Sequence, residues 1–269
     1  MRGGVGGYAW DKSELDEYRQ GVIAAARDAE KPPAPNAKPG EWYSLGRHAL
    51  YCGDTGDPAF YENVPLAAFA FADPPYNAGV ADWDHAFKWS HDWLITKADI
   101  VAVTPGIVSI QRFFQVDTAM PYAWSMSAWI TNGMTRGALG FGNWIYIALF
   151  SNQDSMFKNT QDHANVEFTS AERDALKASI KTGDGDKTKH KGRKPSALME
   201  KLVETFTEPG EFVIDPFLGS GSTLFACDKL GRACVGGEID PEYCNEIIGR
   251  WQDENGQAAE GIKDVSNGI

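Results

Sequence analysis

Five short, nearly continuous apolar runs constrain this chain most: HALYCG (48–53), LAAFAFA (66–72), DIVAVT (99–104), EFVID (211–215) and ACVGGEI (233–239). A strand with one wet face alternates apolar and polar residues, so unbroken apolarity implies burial on both faces, as in a parallel sheet covered by helices. Helical patterns accompany them. Residues 195–206 place Leu198, Met199, Leu202, Val203 and Phe206 on one face, and Pro209-Gly210 ends that pattern. Asp240-Pro241 caps and opens another helix, whose inward positions are Tyr243, Cys244, Ile247, Ile248 and Trp251. Strands alternating with helices predict an α/β fold with a mostly parallel sheet. Two further runs, 122–131 and 143–150, flank a glycine-rich connection and predict antiparallel strands at one end of that sheet.

Ahead of this pattern, residues 13–31 read as an amphipathic helix with Leu15, Tyr18, Val22, Ile23 and Ala26 on one face. The stretch PPAPNAKPG (32–40) then forms a semi-rigid linker, so the main domain is expected over 41–255, followed by a tail over 256–269. Cys52, Cys227, Cys234 and Cys244 form no CxxC pair, which suits a reduced, cytoplasmic setting. No apolar run approaches the roughly 18 residues of a membrane span, and the first residues lack the apolar region of an export signal, so no membrane partner is expected. A net charge of −12 repels polyanions, and a nucleic-acid partner would require a local basic patch.

Two motifs carry chemistry. The first, Asp73-Pro74-Pro75-Tyr76, follows the run 66–72 directly, and ligands of parallel sheets bind at the carboxyl ends of strands. An aromatic exocyclic amine is a poor nucleophile because its lone pair is delocalised into the ring. Asp73 can accept one of its N–H groups and the Pro74 carbonyl the other, favouring a pyramidal nitrogen whose lone pair is aimed at an electrophile. The two prolines fix φ and present that carbonyl rigidly. Tyr76 is suited to stack on a base flipped from a duplex.

The second is Asp215-Pro216-Phe217-Leu218-Gly219-Ser220-Gly221-Ser222-Thr223, between the run 211–215 and a helix over about 223–230. Its glycines let the backbone approach a ligand closely. A dinucleotide fingerprint would need a third glycine where Leu224 stands, which disfavours NAD and FAD. Glu238 ends the next strand, where a carboxylate can accept both ribose hydroxyls of an adenosine.

Taken together, these motifs resemble the S-adenosylmethionine-dependent DNA amino-methyltransferases that modify adenine N6 or cytosine N4. The order, with DPPY before DPFLGSGST, is similar to the permuted β class, and WYSLGRHALYCGD, VTPG and HKGRKP resemble phage-type modification methylases of restriction-modification systems. The resemblance covers residues 42–251. It implies a Rossmann-like, circularly permuted, seven-stranded methyltransferase sheet with one antiparallel strand, assigned to NWIYIALF. It places the catalytic tetrad on Asp73, Pro74, Pro75 and Tyr76, and S-adenosylmethionine on Asp215, Phe217, Gly219, Gly221, Ser222 and Thr223, with Glu238 on the ribose. Lys194, which with Pro195 matches the family's helix-opening Lys-Pro, is implied beside the methionine moiety and Asp54 near the adenine amine. GSGST here replaces the common GSGTT.

Double-stranded DNA is the implied partner, and a homodimer is an option. Residues 152–194 occupy the place of a short target-recognition insert. Within it, 181–194 holds six Lys or Arg against two Asp, a local +4 that leaves the remainder at −16. Lys187, Lys189, Lys191 and Arg193 are therefore candidate phosphate contacts, with Arg136 on the connection 132–142 a further one. Trp83, Trp89 and Trp93 read as helix packing, and His85 and His91 have no metal-like partners, so no metal is expected. Aspartate at the head of the tetrad resembles adenine-N6 enzymes. The alternatives are a cytosine-N4 enzyme, an RNA or protein amine methyltransferase, and a catalytically silent DNA-binding subunit.

Overall fold

A computed structural model of the chain describes residues 13, 17, 32–75, 87–107, 109–130, 135–137, 140–142, 144–152, 175–178, 194–263 and 265. Apart from Ser13 and Glu17, both helical, the helix expected over 13–31 lies outside them.

The strands are β1 (Glu41–Leu45), β2 (His48–Cys52), β3 (Ala67–Ala72), β4 (Ala98–Val103), β5 (Tyr122–Ile130), β6 (Thr135–Gly137), β7 (Gly140–Gly142), β8 (Trp144–Phe150), β9 (Ala175–Ala178), β10 (Phe212–Asp215), β11 (Ala233–Glu238) and β12 (Glu260–Ile262). Ten of them form one sheet in the order β12-β1-β2-β11-β10-β3-β4-β8-β5-β9, and β6 and β7 form a separate hairpin. All five apolar runs are neighbouring parallel strands, β2, β11, β10, β3 and β4. NWIYIALF becomes β8, antiparallel to both β4 and β5, as expected. The seven strands from β2 to β5 match the expected core. The sheet is wider than seven because β12 and β1 extend one edge and β9 the other, and β1 is a second antiparallel strand.

Continuous apolarity has the predicted cause, since every residue of β2 and β11 is buried. Alternate residues feed two cores. On one face Leu50, Phe69, Phe71, Ile100, Val213 and Leu149 meet Leu198, Met199 and Leu202 of the Ser196–Phe206 helix, Leu224 of the Ser222–Leu230 helix and Ile247 and Trp251 of the Pro241–Asn255 helix. On the other, Tyr51, Ala70, Val101, Ile214 and Val235 meet Phe60, Leu94 and Phe113. The Asp240 side chain caps the last helix by accepting from the Glu242 N–H at 2.8 Å.

Residues 32–40 and 256–263 are attached to this domain. The Ala37 N–H donates to Asn245 at 2.7 Å, and Gln252 donates to the Pro33 carbonyl at 3.0 Å. Beyond residue 255, Trp42 pairs with Ile262 across β1 and β12, and Val265 is buried against the same core. Ending the chain at residue 256 removes this pairing and the burial of about one valine side chain. Its equilibrium unfolding in urea should show a loss of about 2 kcal/mol with little change in slope.

Candidate active site

In a parallel sheet every strand delivers its carboxyl end to the same edge. Here β11, β10 and β3 are adjacent, β11 ends on Glu238, β10 on Asp215, and Asp73 follows β3. Three carboxylates from distant parts of the chain therefore meet at one rim. Ala72 pairs with Val103, which sets Asp73 beside Thr104 at the end of β4.

Both oxygens of Asp73 are engaged. The Thr104 hydroxyl donates to Oδ1 at 2.5 Å, and the Lys194 ammonium donates to Oδ2. Both partners of this ion pair are largely buried, with 12% of the Lys194 side chain and 19% of that of Asp73 exposed, so it is far less screened than a surface pair. Lys194 is thus held against the first motif. Pro74 is buried and Pro75 half-buried, while Tyr76 lies outside the described residues.

The glycine loop is built around the Asp215 carboxylate. Oδ1 accepts from the Phe217 N–H at 2.9 Å, and Oδ2 from the Thr223 hydroxyl at 2.5 Å. Gly219 (φ 52°) and Gly221 (φ 77°) take left-handed conformations that L side chains resist. A Cβ on Gly221 would also stand 3.1 Å from Ile247 and Phe225. Ser222 and Thr223 are buried, and Ser222 donates to the Lys194 carbonyl at 3.3 Å. These two hydroxyls bind the loop to Asp215 and Lys194. Phe217 is half-buried, its ring 4.6 Å from that of His91 and 5.6 Å from that of Phe87.

Glu238 accepts from the Gly219 N–H at Oε2 and the Asp240 N–H at Oε1, both at 2.8 Å. Burial nevertheless pushes Asp215 and Glu238 each up to about 7, outweighing the hydrogen bonds that lower them. Asp73 adds to the rise at Asp215 and Lys194 opposes it, so the two motifs share one electrostatic site. Such carboxyls suit a ligand that brings positive charge and hydroxyl donors. S-adenosylmethionine meets that requirement through its sulfonium, its ammonium and its ribose.

Asp54 is exposed at the turn after β2 and accepts from the Gly56 N–H at 2.8 Å. β2 borders β11, which puts Asp54 on the rim beyond Glu238. Beside Pro74 and Pro75 lies a cavity of about 70 Å³ walled by Phe87, Trp89, Pro105 and Phe113, with Ser109, Arg112 and Asp117 also lining it. Trp89 is in a non-helical segment, its indole N–H donating to Asp92 at 2.6 Å, and Trp93 packs on Phe60. Both tryptophans pack on aromatic neighbours, Trp93 at the start of the short Leu94–Lys97 helix and Trp89 outside any helix, and Trp83 lies outside the described residues. Lys187, Lys189, Lys191 and Arg193 lie outside them too. Arg136 pairs with Phe141 in the β6-β7 hairpin. Among the described residues no group of His, Cys, Asp or Glu is arranged to hold a metal ion, and no helix is long and apolar enough to cross a membrane.

Sequence reasoning missed three residues here: Thr104, Thr55 and His91. Thr104 had a signal as the polar residue that closes the run 99–104, just as Asp73 follows the run 66–72. Thr55 and His91 had none, because Thr55 donates to a backbone carbonyl 161 positions along the chain and His91 meets the Thr55 hydroxyl 36 positions away.

A family model described as DNA methylase, of the N6/N4 type, matches residues 124–249. The type II methyltransferase M1.MboII of Moraxella bovis is 24% identical, with 74% of this chain and 93% of that protein covered. The type II methyltransferase M2.DpnII of Streptococcus pneumoniae is 36% identical over a shorter stretch, 25% of each chain. Among solved structures, the M1.HpyAVI–SAM complex matches with a TM-score of 0.55 at 22% identity, over 75% of this chain and 97% of that one. The PvuII cytosine-N4-specific DNA methyltransferase matches with a TM-score of 0.57 at 17% identity, over 84% and 90%. The chain therefore has the methyltransferase fold.

The buried carboxyls also set a pH dependence. Asp215 and Glu238 bind protons more tightly folded than unfolded, so the stability they contribute is complete below about pH 4 and is lost as pH rises through about 7. His91, pushed down to about 4 by burial, acts oppositely: its contribution is complete above about 6.5 and is lost as pH falls towards 4. Asp215→Asn removes one of these titrating groups while retaining an acceptor for the Phe217 N–H. In unfolding curves from pH 5 to 8 without ligand, the variant should gain on the wild type by about 1 kcal/mol per pH unit up to about pH 7.

Proposed function

We propose that this chain, whose residues 124–249 fall within the N6/N4 DNA methylase family, transfers a methyl group from S-adenosylmethionine to the exocyclic amine of a base flipped from double-stranded DNA, adenine N6 being the target. The observation that carries this reading is the meeting of Asp73, Asp215 and Glu238 at the ends of three adjacent parallel strands, with Pro74 rigidly beside Asp73. Asp215, Phe217 and the Gly219–Gly221 turn hold the cofactor, with Glu238 accepting from its ribose hydroxyls. Bound there, S-adenosylmethionine supplies an electrophilic methyl on a positively charged sulfur.

The remaining chemistry belongs to the first motif. Thr104 and Lys194 orient the Asp73 carboxylate, whose role is to accept one amine hydrogen. With one N–H on Asp73 and the other on the Pro74 carbonyl, the amine's lone pair is released from the ring. Asp73 would take the proton that the nitrogen loses on methylation and pass it to solvent. Tyr76 stacks on the flipped base, and the aromatic-walled cavity beside Pro74 and Pro75 adjoins its path. Lys187, Lys189, Lys191 and Arg193 contact phosphates, in the segment 181–194 where this acidic chain reverses sign strongly. Aspartate at the head of the tetrad supports adenine over cytosine.

The test is incubation with methyl-labelled S-adenosylmethionine and unmethylated duplex DNA, followed by digestion to nucleosides. Label should appear in N6-methyladenine. Label in N4-methylcytosine would reassign the base, and label in neither would overturn the reading. Asp73→Ala should slow transfer at least about 10²-fold while leaving cofactor affinity within about threefold.

A further inference from the structure

Behind the glycine loop, two almost fully buried polar side chains form a chain of hydrogen bonds that the proposed transfer does not use. Thr55 is 4% exposed and His91 2%. Thr55 Oγ1 lies 3.0 Å from the Pro216 carbonyl and 2.9 Å from His91 Nε2. A carbonyl only accepts, so the single hydroxyl hydrogen of Thr55 goes to Pro216. His91 must then donate from Nε2, and burial of the imidazole keeps the ring neutral with its single proton on that nitrogen.

The order is therefore His91 to Thr55 to Pro216. It ties three segments that are far apart in sequence: the turn after β2, the segment downstream of the tetrad and the loop after β10. Proline has no N–H, so its carbonyl is the one backbone group by which residue 216 can be held. That residue separates Asp215 from Phe217. The His91 ring backs the Phe217 ring at 4.6 Å and is itself flanked by Trp89 at 5.4 Å. Gly237 makes the arrangement possible, since a Cβ there would come within 2.1 Å of the Thr55 methyl.

We infer that Thr55 and His91 are positioning residues for the cofactor: a buried strut that sets the Asp215-Pro216-Phe217 turn without touching the ligand. This rests on the reading of that turn as the S-adenosylmethionine site. Loss of the strut leaves the Pro216 carbonyl and the His91 N–H unpaired in the interior, and the loop relaxes away from its binding geometry to satisfy them.

The test compares Thr55→Val, which keeps the shape and removes both hydrogen bonds, with Thr55→Ser, which keeps the hydroxyl and loses the methyl packed on Gly237. S-adenosylmethionine binding is followed by calorimetry, methyl transfer by kcat and by KM for each substrate, and folding by thermal unfolding. Thr55→Val should weaken cofactor binding and raise its KM about tenfold, with kcat and KM for DNA within about threefold. Thr55→Ser should bind within about twofold of wild type even if it unfolds earlier. Equal affinity of Thr55→Val and wild type, or equal weakening in both variants in step with their stability, would overturn the strut while leaving the functional reading intact. Wild-type protein that takes up no S-adenosylmethionine would overturn both.

Discussion

Desolvation of two carboxyl groups governs this molecule's site. Asp215 and Glu238 stand at the ends of strands covered on both faces, and burial alone is the largest influence on either. Everything around them answers that cost: the N–H groups of Phe217, Gly219 and Asp240, the Thr223 hydroxyl and, at slightly longer range, the Lys194 ammonium. The compensation is partial. What remains is a concentration of acceptors held in a low-dielectric rim, which favours a ligand carrying positive charge and hydroxyls.

The rigidity of that rim comes from close backbone approach. Gly236 and Gly237 on β11 leave no room for a Cβ, because the Leu218 side chain and the Thr55 methyl rest directly on the strand. The Leu218 N–H donates to the Gly237 carbonyl at 2.9 Å, so loop and strand are also joined by backbone. Gly219 and Gly221 bend the loop into conformations closed to other residues. Four glycines at two adjacent strand ends thus do different work, two by φ and two by absent volume.

Much of this was legible beforehand. The five inner strands announced themselves because burial on both faces demands unbroken apolarity, and β8 because its run is paired with β5 across a glycine-rich connection. β1 was not, since EWYSL carries a charged and a polar residue, as an outer strand can. β12, at the sheet edge with two of its three residues exposed and only Ile262 half-buried, has too short an apolar signature to read. Of the tryptophans after the tetrad, Trp89 packs from a non-helical segment through ring contacts and its bond to Asp92, and Trp93 stands at the start of the short Leu94–Lys97 helix.

For the site, the sequence by itself determined the chemistry: which carboxylates, prolines and glycines lie at strand ends, and in what order, because strand-ending motifs are local and their residue types follow from the bonds they must make. Only the tertiary structure decided which of those groups meet. The pairing of β3 with β10 and β4 brings Asp73 to Asp215 and Thr104, and the helix opening at Ser196 carries Lys194 onto Asp73. It also recruited Thr55 and His91, whose roles depend on a carbonyl 161 positions away from Thr55 and on a cavity left by a glycine on another strand. Hydrogen bonds and desolvation act through space, and proximity in space between such distant residues is set by how the sheet is ordered.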